Sequence, residues 1–233
     1  MIILLSEMVH VLDNPVFNAL VSRDAHLGTG NERVRLFDPA VSPFVGIKHH
    51  HAEGLKEISG MVERGRKILV AIPSELIIPQ EWKLMNFIEG LQFILEYPEI
   101  KDQPGFSPER LNADHVKEMI NLTRLTKPGP FDDRTIDFGN YYGIFEDGQL
   151  TSMAGQRLHV DQYSEISAVC THPDHLGNGH AGKLLQFQVN LIAIENKIPF
   201  MHVRSGNDRA IKLYERMGFK VRIPMNFYFL RKV

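Results

Sequence analysis

The sequence predicts a mixed α/β fold, a mixed sheet flanked by helices and preceded by a smaller α/β segment. Three observations carry this expectation. Asp147-Gly148 lies between two strand-like runs and marks a hairpin, because such a turn needs positive φ. An apolar run over residues 163–171 passes through a glycine-containing turn into a helical pattern over 179–196. Between residues 97 and 108, YPEIKDQPGFSP gathers three prolines, a glycine and several charges. That break places a domain boundary near residue 105 and divides the chain into 1–105 and 106–233.

In chain order, residues 13–30 read as a helix and SPFVGI as a short strand ending near Ile47. Residues 52–64 carry a helical pattern, KILVAIP reads as a buried strand, and residues 82–97 read as another helix with Met85, Ile88, Leu91 and Leu95 on one face. Past the break, a helix containing Val116, Met119, Ile120 and Leu122 is closed by KPGP, and a short helix follows over 131–138, opened by Asp132 or Asp133. NYYGIF and LTSMAGQRL form the hairpin, and 163–171 supplies a third strand. The helix over 179–196 has Leu184, Leu185, Leu191 and Ile192 as its stripe. A strand at 199–203, a helix at 208–217 and two strands, 219–222 and 226–231, complete the chain.

Composition excludes several classes of function. The 233 residues are 43% hydrophobic and 23% charged, which rules out a disordered or fibrous chain. Cys170 is the only cysteine, so no internal disulfide exists. Net charge is -2, giving no global field for nucleic acid or anionic lipid. The start MIILLSEMVHVL carries Glu7 and lacks a basic flank and a small-residue cleavage site, so it reads as mature protein. No apolar run approaches the roughly 18 residues of a membrane helix. The default setting is therefore soluble, reducing and cytoplasmic.

The chemistry concentrates in SEISAVCTHPDHLGNGHAGKLL. A buried strand runs into Gly177 and Gly179 and directly into a helix. A helix start leaves about four backbone amides unpaired at the positive end of the peptide dipoles, so a glycine-lined start can cradle phosphate or can serve packing alone. The P-loop pattern is absent, and the dinucleotide fingerprint lacks its third glycine and its acidic strand end.

From residue 142 to residue 231 the chain resembles the GNAT superfamily of acyl-CoA-dependent N-acetyltransferases. The matching motifs are VCTHPDHLGNGHAG at 169–182 and SGNDRAIKLYERMGF at 205–219. The resemblance implies acetyl-CoA as co-substrate, bound between two splayed strands. Backbone groups of Val169 and Thr171 would meet the pantetheine arm, and the amides of Leu176, Gly177, Asn178, Gly179, His180 and Ala181 would cradle the pyrophosphate. Asn207 would contact the pantetheine amide, cap its helix, or do both. The family pattern Q/R-x-x-G-x-G/A reads DHLGNG here, so Asp174 and Leu176 replace residues that would have added polar contacts. The resemblance further implies that Tyr214 protonates the departing thiolate, where spacing alone would make it a core tyrosine. Glu165 resembles the carboxylate that deprotonates the acceptor amine directly or through water, the alternative being a surface glutamate at a strand end.

Other candidates read as structural. Cys170 has no readable Cys-His partner and fits a packed core thiol. His172, His175 and His180 match no standard zinc spacing, and the chemistry needs no metal. His49, His50 and His51 are consecutive, so they do not share one face and read as a solvated loop. The leading expectation is transfer of an acetyl or similar acyl group to an unidentified small-molecule or peptide amine, with residues 1–105 as a wall of the acceptor site and no nucleic acid or membrane partner. The rivals are a CoA-binding sensor on the same fold and a nucleotide-binding protein; the latter leaves the Tyr214 motif unexplained.

Overall fold

The computed structural model describes residues 10–49 and 52–233. The first nine residues, read above as part of the mature amino terminus, lie outside the described residues, as do His50 and His51.

Residues 10–47 form a cap. A turn of 3-10 helix at Val11–Asp13 leads into α1 (Pro15–Leu20), which starts on Pro15, where the missing N–H costs nothing. A three-stranded antiparallel sheet follows, β1 (Gly28–Gly30), β2 (Val34–Phe37) and β3 (Val45–Ile47). The helix expected over 13–30 is thus only one and a half turns long. Asp24, Gly28 and Gly30 within that window favour turns and extended backbone over helix. At Gly46 a Cβ would stand 2.4 Å from the Cα of Phe17, so glycine lets α1 lie directly on β3.

After α2 (Ala52–Met61), β4 (Lys67–Ile72) and β5 (Trp82–Ile94) enter the main sheet. Residues 82–97 are therefore mainly strand, not helix. Gly90–Ile94 pair with one neighbouring strand while the whole length of β5 pairs with another, and hydrogen bonding on two sides overrides a helix-spaced set of apolar residues. The segment around residue 105 then leads to β6 (Glu109–Arg110), α3 (Val116–Thr126), β7 (Tyr142–Glu146), β8 (Gln149–Val160) and β9 (Tyr163–Thr171). Asp147 and Gly148 take φ of 49° and 77°, the primed turn their sequence demands. The chain ends with α4 (His180–Ile194), β10 (Ile198–Arg204), α5 (Asp208–Arg216) and β11 (Lys220–Lys232). The two carboxy-terminal strands expected separately are one strand, because a register shift at Arg222 absorbs the irregularity without ending the ladder.

The eight-stranded order is β4-β11-β5-β10-β9-β8-β7-β6, antiparallel except for β9 and β10. Strands drawn from both sides of residue 105 thus share one sheet. One face packs against α4 and α5 through Phe93, Ile166, Leu185, Met201 and Phe219. The other meets the cap and α3 through Leu12, Val16, Phe44, Met119 and Phe200.

The contact at Gly46 sets how closely the cap sits. Gly46→Ala should destabilise the protein by about 1–3 kcal/mol, since the clash is with backbone that cannot rotate away; the shift in the urea midpoint at unchanged slope measures it.

Candidate functional site

The site begins where two parallel strands part. β9 and β10 pair only through Tyr163–Glu165 and Ile198–Phe200, although β9 continues to Thr171 and β10 to Arg204. From Ile166 onward that side of β9 has no strand partner among the described residues, and it contains Val169 and Thr171. The opposite side of β9 is held by β8 through a bulge in which Ala168 takes φ of 53°.

At the end of this gap the chain turns through Pro173–His175 and enters α4. Gly177 and Gly179 have φ of 94° and 76°, and a Cβ on either would meet nothing within 4 Å. Glycine is needed there for conformation and leaves the turn open. The helix has no side-chain cap, so its first-turn amides, His180 and Ala181 among them, are free for an external acceptor. Leu176 projects into solvent, and its amide, expected in the cradle, instead donates to the Pro173 carbonyl at 3.3 Å and closes the preceding turn. The imidazole of His180 instead turns inward, 3.2 Å from Ser152 Oγ and 3.5 Å from Glu146 Oε1, while His175 contacts the other oxygen of Glu146. Among the described residues no group of three metal-ligating side chains converges.

Tyr214 lies in the apolar cluster beneath the gap, with Ile166 and Val169 from β9 and Met201 and Val203 from β10. Its ring meets Phe93 edge-on at 5.9 Å. Burial pushes the hydroxyl up to about 12, so it remains a donor at neutral pH. The hydroxyl has no protein partner among the described residues, yet it is not one of the polar atoms sealed from solvent. Asn207 caps α5 by accepting from the Ala210 amide at 3.2 Å. Cys170 is packed, and burial pushes its thiol up to about 12, which leaves it unreactive.

Glu165, expected as a base or as a surface carboxylate, is wholly buried. Arg157 donates to both of its oxygens, Nε at 2.8 Å and Nη2 at 2.7 Å, and His202 Nδ1 donates to Oε1 at 2.8 Å. Burial alone would raise this carboxyl. The Arg157 charge and the hydrogen bonds from Arg157 and His202 outweigh it and hold the group at about 2. A carboxylate so engaged is a fixed charge and a poor proton acceptor. The row continues beyond it. Gln92 Nε2 donates to the Leu12 carbonyl at 2.9 Å and lies 3.0 Å from His202 Nε2, while Arg222 donates to Gln92 Oε1 and to Asp13. With Gln92 oriented by Arg222, His202 carries its proton on Nδ1. Arg157, Gln92, His202 and Arg222 escaped the sequence reading. The available signal was a polar residue at an inward position in each of several neighbouring apolar strands.

Comparison with solved structures decides the family. A putative acetyltransferase of the GNAT family from Novosphingobium aromaticivorans is 30% identical and superposes with a TM-score of 0.89, over 97% of this chain and 100% of that one. The chain belongs to the GNAT family. A family model described as FR47-like protein matches residues 141–229 of this GNAT chain. The fold is shared at lower identity by a GCN5-related N-acetyltransferase from Kribbella flavida (12% identity, TM-score 0.57, 88% of each chain) and by a GNAT acetyltransferase from Colwellia psychrerythraea (12%, 0.51, 85% of this chain and 80% of that one). No curated protein matches the sequence.

The ion pair in this GNAT site has a testable energetic consequence. Arg157→Met leaves Glu165 buried without its cation and should cost about 3–5 kcal/mol at pH 7 by chemical denaturation. The carboxyl falls from an ordinary 4.5 to about 2 on folding, so its contribution is complete above pH 4.5 and disappears as pH falls towards 2. In Glu165→Gln that part of the acid dependence should be missing.

Proposed function

We propose that the protein transfers an acetyl or similar acyl group from acyl-CoA to a primary amine, by direct attack of the amine on the thioester. GNAT membership supports acyl transfer as the class of reaction. The observation that carries the finer reading is the junction of two features. A gap between β9 and β10 ends at a helix start with glycine turns, open amides and no cap. An extended thiol arm with a pyrophosphate at its far end suits both.

In this reading the amides of Gly177, Asn178, Gly179, His180 and Ala181 surround the pyrophosphate. Their dipoles and the helix start favour its charge without requiring a basic side chain. Unpaired backbone of β9 at Val169 and Thr171 takes the pantetheine amides in place of the missing strand, and the Asn207 side-chain amide, at the start of α5, would meet the same arm. The acyl group then reaches the start of the gap, next to Glu165 and His202. Residues 10–47 cover that face of the sheet through Leu12 and Phe44, which supports reading the cap as a wall of the acceptor site.

When the amine attacks, negative charge builds on the thioester oxygen and then passes to sulfur as the C–S bond breaks. Tyr214 donates to that sulfur. At about 12 its phenol is a weaker acid than a thiol, so hydrogen bonding to the leaving thiolate precedes any full proton transfer. Glu165 keeps His202 in one tautomer and position, and the proton of the acceptor ammonium leaves to water. The acceptor is a small-molecule or peptide amine, and the lone cysteine suits a reducing cytoplasm.

Calorimetry with acetyl-CoA, followed by thiol release with a panel of amines, tests this reading: binding with turnover supports the enzyme, and binding without turnover a sensor. Gly177→Glu should lose acyl-CoA binding, because it adds negative charge and a side chain to the turn. Tyr214→Phe should lower kcat at least tenfold with acyl-CoA affinity and melting temperature nearly unchanged. In Glu165→Gln the limb of the pH–rate profile near neutrality should persist; a flattened limb would make Glu165 the base after all.

A further inference from the structure

A second cleft lies in the cap, built from none of the residues that form the acyl-CoA gap. It has a volume of about 610 Å³ and runs between β1–β2 and the end of α2, a size that suits a small molecule. Its apolar wall is made by Leu36, Phe37, Met61 and Val62, and its polar side by three arginines, Arg64, Arg66 and Arg134, against two carboxylates, Asp38 and Glu63. The arginines are not equivalent. Arg134 is committed to Asp38 at 2.7 Å and to Asp137 at 2.8 Å. Arg66 has no such partner among the described residues. Its Nε is out of water and without a hydrogen-bond acceptor among the described residues. A smaller cavity of about 450 Å³, toward Pro130 and Phe131, is also lined by Arg66.

Arg66 is partly buried: its Nε is sealed, while its two Nη groups still reach solvent and make no hydrogen bond among the described residues, so the cation has lost some hydration without gaining a charge-assisted bond. Here burial lowers the arginine's pKa, and the charge of Asp38, already held by Arg134, opposes this only in part. A ligand oxyanion in the cleft would pair with the solvent-reachable Nη groups, and the apolar wall would take the body attached to it. From this arrangement we infer that the cap cleft is a binding site for a small molecule joining a carboxylate or phosphate to an apolar group, with Arg66 holding the anion. The site stands apart from the acyl-CoA reading and does not depend on it.

The test is calorimetry on the whole chain with three probes of similar shape: phenylacetate, phenyl phosphate and 2-phenylethanol. One or both anions should bind at a single site at least tenfold tighter than the neutral alcohol, and the tighter of the two identifies carboxylate or phosphate as the group recognised. Arg66→Gln should weaken the anion at least tenfold with little change in melting temperature. If that variant does not fold, Met61→Glu decides: Met61 is half-exposed at the end of α2, and a negative charge there should also weaken the anion. Failure of both anions to bind, equal binding of the alcohol, or anion affinity unchanged in the folded variants would overturn the inference.

Discussion

The bidentate pair of Arg157 and Glu165 is the interaction on which the rest of the site depends. It joins β8 to β9 at the position where β9 makes its last pair with β10. A charged pair in such a place is costly in solvation, and replacing both partners by apolar residues often leaves stability unchanged or higher. Its value lies in position. Through His202 the carboxylate fixes β10, through Gln92 the row reaches β5, and through Arg222 and Asp13 it reaches β11 and the cap. Five adjacent strands are thereby registered at the mouth of the gap.

This row also explains why the gap stays open. Beyond it, β9 and β10 no longer pair, and the two faces near the gap are filled differently. Tyr214 and its apolar neighbours lie on one face, while the polar row and Phe44 lie on the other. An apolar lining suits a thiol arm and an acyl group. A polar row with every member satisfied fixes geometry without offering a loose donor or acceptor to compete for them.

Much of the second half was legible because its signals are local. Asp147-Gly148 specifies its turn, Gly177 and Gly179 specify positive φ before a helix, and the Tyr214 motif specifies a helix against a strand. The first half was less so, because β5 is a strand through tertiary pairing. Met85, Ile88, Leu91 and Leu95 have helical spacing, and only β10 and β11 on either side make that stretch extended. Glu165 shows the same limit in the site. Its residue type suggested a base, but its protonation is set by Arg157, eight residues away in sequence, and by His202, on a strand outside the local pattern.

The position of β5 has a further consequence for how the molecule comes together. β4 and β5 follow each other in the chain, but β11 lies between them and pairs with both. The first hundred residues therefore cannot close their own part of the sheet; the final thirteen-residue strand must be inserted first. Contacts of such sequence separation carry a large loop-closure cost before they return any pairing. On the ribosome, β4 and β5 must wait with unpaired edges until the last strand emerges. Assembly of this sheet is accordingly a late, whole-chain event, in which the gap between β9 and β10 and the cap become ordered together.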